Sequence, residues 1–482
     1  MSLVEPVEPV PVEELGRVHF IGIGGAGMSG IARVLLQRGV AVSGSDARDS
    51  SVLTELRAAG ARVHAGHAAE QLGEADTVVV SSAVRPGNPE LAAARERGLR
   101  VLPRAAALGA LLLGRRGIAV AGTHGKTTTT SMLATVLRHC GAEPGYVIGG
   151  KLVGGPGAPA SGLAAAADAG SGELIVVEAD ESDGSFLMLR PEIAVVTNVE
   201  ADHLDNYSGI EQIHEGFDRF TALTGELVVA GVDDPGAQLV AKAAAEHGRQ
   251  VRGYGENPGA DYRIGAIAPA GFGSRFTLAG PAGEHPYTVH APGRHNVANA
   301  AAAIAVALEL GFAPGAAAAG LAAYRGTARR FEPKGEARGV RVYDSYAHHP
   351  TELAADLRAA RAALDSEPPR GEGAAPGRVI ALFQPHLYSR TRIFAAEFGQ
   401  ALGLADEVVV MSIYAAREDP EPGVGSELVT SAVPHGRVHL QPERERIPAQ
   451  IAALARPGDI VLTMGAGDVT ELGPRIVDAL GS

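Results

Sequence analysis

The sequence predicts an α/β protein of three domains, and three observations carry that expectation. Its 482 residues suit about three domains of roughly 150 residues each. Short apolar runs alternate with helical patterns along most of the chain, as parallel strands joined by helical crossovers do. Two strand-to-helix junctions are glycine clusters, where backbone N–H groups and a helix N-terminus can face a ligand. Hydrophobic residues make up 46% of the chain, yet aromatics are only 4% and Trp is absent, so the cores must be Ala, Val, Leu and Ile.

The first unit opens with the apolar strand 18–21, turns through glycines into a helix near Met28, and ends that helix at Gly39. Strands are expected next at 40–42 and 77–80. A second unit starts with a strand at 118–120, turns through 122–125, and enters a helix from Lys126 to about His139. Its further strands are expected at 174–177, 193–196 and 227–230. Short alternating segments with glycines over 262–290 read as antiparallel hairpins, and the alanine-rich stretch 296–310 as a closing helix. A third unit has apolar strands at 340–343, 379–383, 408–411 and 460–463. Domains are therefore expected at 15–114, 115–326 and 327–482, behind a disordered tail of residues 1–14. Glycines and prolines mark 154–172 and 365–377 as flexible surface loops.

Composition excludes several functions. The formal net charge of −13 argues against a nucleic-acid surface, which needs a basic face. A single cysteine, Cys140, excludes a disulfide framework and a cysteine zinc site. The acidic N-terminus does not read as a secretory signal. The longest apolar stretch, 297–323, is broken by Asn299, Glu309, Gly311 and Pro314, so no membrane span is expected. A soluble, cytoplasmic protein is the expectation. Only four of the 42 basic residues are lysine (Lys126, Lys151, Lys242 and Lys334), so a retained lysine is a candidate for a role that arginine cannot fill.

Lys126 sits in Gly122-Thr123-His124-Gly125-Lys126-Thr127-Thr128, between a strand and a helix. There the loop amides of 122–125 can cradle phosphates, Lys126 can reach the terminal ones, and the Thr127 hydroxyl can ligate Mg²⁺. Val120 stands where the usual spacing wants Gly or Ala, so the loop is a shortened variant. Gly22-Ile23-Gly24-Gly25-Ala26-Gly27 has the spacing of a dinucleotide turn, with Asp46 following the next strand as a ribose partner. This turn suits NAD or any other diphosphate–ribose ligand. Glu178, with Asp180, Glu181 and Asp183, follows a buried strand; Glu178 leaves it first and is the candidate Mg²⁺ ligand, the other three reading as a solvated acidic loop. His203 ends a similar segment, as a second metal ligand or a structural histidine. Asn296 reads as a helix N-cap or an adenine partner. Arg330 is placed to deliver a guanidinium to a transferred phosphate, and Arg390 to clamp a carboxylate. The segment Tyr343 to Pro350, with Asp344, Tyr346, His348 and His349, suits substrate or nucleotide contacts more than zinc.

Together these segments resemble the peptidoglycan (Mur) ligase superfamily. The resemblance runs from about Val18 to the C-terminus through GIGGAGM (22–28), GTHGKTTTT (122–130), EADESD (178–183), TNVEADHLD (197–205), PGRHNVANAAAA (292–303), GTARRFE (326–332), SYAHHPTE (345–352) and FQPHLYSRT (383–391). It implies an N-terminal Rossmann-like UDP-sugar domain, a central P-loop-like ATPase domain and a C-terminal Rossmann-like domain. The implied reaction joins L-alanine to UDP-N-acetylmuramate with ATP and Mg²⁺, Mn²⁺ being a substitute. It is a cytoplasmic step of cell-wall synthesis without nucleic-acid or membrane partners. Lys126, Thr127, Glu178 and His203 would surround ATP and metal. Gly122, Thr123, His124, Gly125, Thr128, Asn296, Arg330 and Asp344 would contact the nucleotide. The resemblance also places Gly22, Gly24, Gly25, Gly27, Asp46, Ser81 and Ser82 at the UDP-sugar, and Tyr346, His348 and Arg390 at the substrates. Ser345, Ala347 and Leu387 depart from the pattern, where many relatives have Asp, Gly and Arg. Several peptide-extending relatives carry a carbamylated lysine after the histidine matching His203; here no lysine lies between Lys151 and Lys242. That favours the alanine-adding branch, with a tripeptide-recycling ligase as the near alternative. A nucleotide-sugar oxidoreductase and a regulatory ATPase are the rivals from other classes.

Overall fold

A computed structural model describes residues 4–81, 83–154, 166–204, 206–367, 376–416 and 418–482. The chain forms two compact units. One comprises the residues up to Ala266 with Phe276–Tyr287 and Ala298–Arg325; the other comprises Ile267–Arg275, Thr288–Val297 and Gly326–Ser482.

The first unit holds a five-stranded parallel sheet in the spatial order Arg62–Ala65, Val42–Asp46, Val18–Ile21, Thr77–Val80, Arg100–Pro103. The chain reverses its direction of winding between Val18–Ile21 and Thr77–Val80, which opens a crevice at their carboxyl ends. The strand expected at 40–42 runs instead over Val42–Asp46. Its Val-Ser-Gly-Ser-Asp sequence hides it from a hydrophobic reading. It forms because its backbone pairs on both sides, and because Ser45, fully buried, donates to the equally buried Glu90.

A second sheet places Arg116–Ala121 between Ile193–Val196 and Leu174–Glu178, all parallel. Leu227–Gly231 and Gln250–Gly255 continue it on one side, Gly145–Val147 and Ala167–Asp168 on the other. The phosphate-loop helix Lys126–His139 packs against Pro314–Ala323, where a Cβ on Gly320 would come within 2.9 Å of Val136 Cα. Small residues permit that closeness. The alanine helix starts at Arg294 and ends at Glu309, and its residues 300–307 are all fully buried.

One continuous core joins side chains of both sheets, from Val18 and Phe20 through Leu111 and Leu112 to Ala119, Val177 and Val228. Leu111 and Leu112, just before the boundary expected at 114, belong to this core, while Gly114 and Arg116 are exposed. Residues 4–14 are no loose tail. The Val4 N–H donates to the Asp183 carbonyl, Glu8 pairs with Arg190, and Val12 is buried. Most of the loops expected at 154–172 and 365–377 lies outside the described residues; Ala167–Asp168, within the former, is a strand paired with 146–147.

The second unit's sheet runs Glu332–Ala337, Val340–Ser345, Ile460–Met464, Val379–Phe383, Glu407–Val410, Val438–Leu440. Only the first pairing is antiparallel. Glu332–Ala337 was not expected, because an edge strand reading Glu-Pro-Lys-Gly-Glu-Ala carries no apolar alternation. Among the described residues no helix is long and apolar enough to cross a membrane.

Candidate active site

Three neighbouring parallel strands end at one edge of the second sheet, so the segments after Ala121, Glu178 and Val196 converge. The loop after Ala121 needs glycine twice. Gly122 has φ +129° and Gly125 φ +83°; a Cβ on either would strike Thr197 Oγ1 at 2.0 Å or Asn299 Oδ1 at 2.5 Å. The segment after Val196 clamps the loop. The Thr123 N–H donates to the Asn198 carbonyl at 2.9 Å, and the His124 N–H to Asn198 Oδ1 at 2.9 Å. Thr197 Oγ1 and Asn198 Nδ2 donate back to the His124 carbonyl. Thr123 and His124 thus spend their N–H groups on Asn198, within the loop expected to cradle phosphates.

Lys126 is folded back over this loop. Its Nζ donates to the Gly122 carbonyl at 2.6 Å, the Thr123 carbonyl at 3.0 Å and Glu181 Oε1 at 2.9 Å. Burial alone would lower its pKa, but Glu181, Asp180 and Glu178 raise it, so the ammonium is charged throughout the neutral range. Glu181 is only 2% exposed, and burial raises its pKa against the pull of Lys126 and His203. The reading of Glu181 as a solvated loop residue is therefore wrong: it is the lysine's partner.

Glu178 accepts from Thr127 Oγ1 at 3.1 Å and from the Gly149 N–H at 2.9 Å. His203 is held at φ +52°, with its Nε2 3.6 Å from Asp202 Oδ2 and 3.9 Å from Glu181 Oε1. Its ring thus groups with Asp202 and Glu181, not with the expected Glu178. The donor set fits a hard divalent cation. Thr127 and Glu178 offer oxygens, while the buried Glu181 Oε2 lies 2.9 Å from Lys126 Nζ and is engaged as the lysine's partner.

The other glycine turn, at 22–27, lies at the crevice of the first sheet. The Gly22 and Ile23 N–H groups donate to the Ser45 carbonyl, and the Gly24 N–H to Asp46 Oδ2 at 2.8 Å. Gly25 precedes the helix Ala26–Gln37 without a side-chain cap, and Gly27 lies in its first turn. Ser81 faces Gly22, its Cβ 3.4 Å from where a Gly22 Cβ would stand; Ser82 lies outside the described residues.

In the second unit, Asp344 is fully buried and spent internally: it accepts from Arg329 Nε at 3.2 Å and Thr463 Oγ1 at 2.6 Å. Tyr346 lies beneath two guanidiniums, with Arg329 Cζ 4.9 Å and Arg330 Cζ 5.2 Å from its ring centroid. His348 packs edge-on against Tyr346 at 5.1 Å, and Glu352 lies 3.8 Å from Arg330 and 3.5 Å from His348. His349 caps the helix Pro350–Asp365, so one of the paired histidines is structural. Arg390 lies buried in the helix Tyr388–Leu402. Asn296 stands inside the first turn of its helix, not at the cap, and donates to the Pro292 carbonyl at 2.7 Å.

Family models match most of the chain: the Mur ligase family catalytic domain at residues 17–116, the Mur ligase middle domain at 120–307, and the Mur ligase glutamate ligase domain at 329–467. The chain belongs to the Mur ligase family. It is 66% identical over 482 residues to the UDP-N-acetylmuramate–L-alanine ligase of Thermobifida fusca, covering 100% of both chains. Among solved structures, it is similar to the UDP-N-acetylmuramate-alanine ligase of Thermotoga maritima, with a TM-score of 0.76 at 26% identity, over 96% of this chain and 98% of that one. It is also similar to a murein peptide ligase of Psychrobacter arcticus, with a TM-score of 0.68 at 26% identity, covering 97% and 99%.

Within this Mur ligase, sequence reasoning overlooked three contributors to the site. Asn198 and Asn299 shape the phosphate loop, although both stood inside quoted motifs. Arg104 had no motif signal. It is brought to Asp180 only because the first sheet's last strand, Arg100–Pro103, ends beside the second sheet's acidic segment.

Proposed function

We propose that this Mur ligase joins L-alanine to the lactyl carboxylate of UDP-N-acetylmuramate, with ATP converted to ADP and phosphate, in cytoplasmic peptidoglycan synthesis. The observation that carries the reading is Lys126, a buried ammonium bound by two loop carbonyls and Glu181 at the meeting point of three strand ends. A carboxylate does not condense with an amine in water, because oxide is too poor a leaving group. The lactyl carboxylate oxygen attacks the γ-phosphorus and ADP departs, leaving an acyl phosphate. The neutral alanine amine then adds to the acyl carbon, and phosphate leaves. Lys126 and the first-turn amides of the helix stabilise charge on the transferred phosphoryl group. Because its pKa is raised, Lys126 serves as a fixed positive charge and not as the base that deprotonates alanine. Thr127 and Glu178, with Glu181 and His203 beside them, would hold Mg²⁺, which supplies charge neutralisation of the phosphates. The turn at Gly22 to Gly27, with Asp46 and Ser81, would receive the UDP moiety. Tyr346, His348, Arg330 and Arg390 are the further residues that would contact substrates or nucleotide.

The alanine-adding reading is preferred to a tripeptide-recycling one because the chain is 66% identical over its full length to an alanine ligase, and because, at the same 26% identity, the solved alanine ligase fits with a TM-score of 0.76 and the murein peptide ligase with 0.68. Phosphate release decides the matter. It should require ATP, UDP-N-acetylmuramate and L-alanine together, with L-Ala-γ-D-Glu-meso-diaminopimelate a poor substitute. Phosphate release without the acceptors would make the chain a regulatory ATPase, and hydride transfer from a nicotinamide would make it an oxidoreductase.

A further inference from the structure

Arg104 lies between the glycine turn at 22–27 and the acidic segment that follows Glu178. It opens the helix Arg104–Leu112, and its Nη2 donates to Asp180 Oδ2 at 3.1 Å. Its Nη1 lies 2.9 Å from where a Cβ on Gly27 would stand, so the guanidinium lies against the first turn of the helix that follows the dinucleotide-like loop. Neither group is sealed in, the Arg104 side chain being 28% exposed and that of Asp180 40%. Asp180 Oδ1 meanwhile accepts the Ser182 N–H at 3.1 Å, which fixes the carboxylate in its turn. The amides of Gly22 to Gly25 are spent on Ser45, Asp46 and Gly22 itself, the turn carries no cation of its own, and Asp46 there is negative. A diphosphate placed on that loop needs a cation, and Arg104 is the guanidinium lying against it.

We infer that Arg104 is a binding residue for the diphosphate of the nucleotide sugar, and that Asp180 holds it as a latch until that ligand displaces the carboxylate. The inference rests on the reading of residues 22–27 as the nucleotide-sugar turn. A guanidinium presents parallel N–H donors that match phosphate oxygens, so exchanging one anion for another needs little movement. Because the free protein must break the Arg104–Asp180 contact, the latch lowers affinity for the ligand, and its removal should raise it.

The test is calorimetric binding of UDP and of uridine to the full-length protein and to Arg104→Gln, Asp180→Asn and the double variant. Arg104→Gln should weaken UDP about tenfold or more, as expected for a lost charged hydrogen bond, and leave uridine within twofold. Asp180→Asn should tighten UDP at least threefold. In the double variant the Asp180 effect should vanish, because the carboxylate acts through Arg104 and not through its general field. An Asp180→Asn gain that persists without Arg104 overturns the latch, and UDP affinity unchanged in Arg104→Gln overturns the binding role. Each variant must keep the wild-type circular-dichroism spectrum and a cooperative unfolding transition, which certify its fold. Gly24→Val separates the two readings, since its side chain would meet Asp46 and Leu53 within 3.0 Å. If Gly24→Val binds UDP like the wild type, the turn is not the site; if it fails while Arg104→Gln binds normally, only the inference about Arg104 falls.

Discussion

The two glycine turns of the first unit share a topology, strand to glycines to helix at the carboxyl edge of a parallel sheet, yet their charges lie in opposite places. At 122–127 the charges are in the turn: Lys126 is bound into the loop and Glu178, Glu181 and His203 ring it. At 22–27 the turn is neutral backbone. Its charges stand beside it, in Asp46 and Arg104, and behind it, where buried Glu90 holds Ser45, whose carbonyl in turn holds the Gly22 and Ile23 amides. A site that must stabilise a changing charge needs fixed charge at the reacting atoms. A site that only holds a ligand needs a stiff frame. On the proposed function, the difference separates a reaction turn from a binding turn on one scaffold.

The sharpest way to break that contrast is Lys126→Arg. Charge is kept, but a planar guanidinium cannot occupy a space where Nζ lies 2.6–3.0 Å from two carbonyls and a carboxylate. Ligation should fall by at least about 3 kcal/mol of transition-state stabilisation, read as kcat for phosphate release. Near-normal turnover in a folded variant would mean the charge at this turn is structural. Glu181→Gln comes next. It leaves a buried ammonium short of its partner and should cost about 2–3 kcal/mol of unfolding free energy in denaturant titrations. Unchanged stability would show that Glu178 and Asp180 suffice.

The contrast also marks what the sequence disclosed. That Lys126, Thr127 and Glu178 come together was legible, because glycine spacing and a retained lysine marked the turn and a strand end marked the glutamate. Glu181 was not, since four carboxylates in six residues look alike until the fold buries one of them. The strand Val42–Asp46 was misplaced because its stability comes from pairing on both sides, which no local pattern records. Arg104 was invisible for a related reason: its partner Asp180 is 76 residues away, and nothing local links them. Residues 4–14 looked featureless, yet they find fixed partners in Asp183 and Arg190 across the unit.

A smaller effect is expected from the binding turn. Asp46→Ala removes the acceptor of the Gly24 N–H and, on the proposed function, the carboxylate that would meet the ribose. Nucleotide-sugar affinity should drop by about 1–1.5 kcal/mol by calorimetry, while ATP affinity and the stability of the phosphate loop stay unchanged. Equal losses at both ligands would mean the two turns act as one.

The mildest change, Glu90→Gln, probes the frame behind that turn. Glu90 is fully buried, and its Oε2 accepts from Ser45 Oγ at 2.5 Å and lies 3.3 Å from His67 Nδ1 and 3.8 Å from His19 Nε2. Burial pushes its pKa up, but the histidine and Ser45 contacts outweigh it, so the carboxyl titrates below its ordinary range. A glutamine keeps the shape and an acceptor for Ser45, so the loss at pH 7 should be only about 1 kcal/mol in unfolding free energy. The sign of the pH dependence follows from linkage. A carboxylate whose folded pKa is depressed contributes fully above its unfolded value, about 4.3, and loses that contribution as pH falls through the lower folded value. The gap between wild type and Glu90→Gln should therefore stay constant from about pH 9 to pH 5 and close only below about pH 4. Denaturant titrations at those pH values measure it. A gap that shrinks already above pH 5 would mean that Glu90 does not hold the frame of this turn as a carboxylate with a depressed pKa.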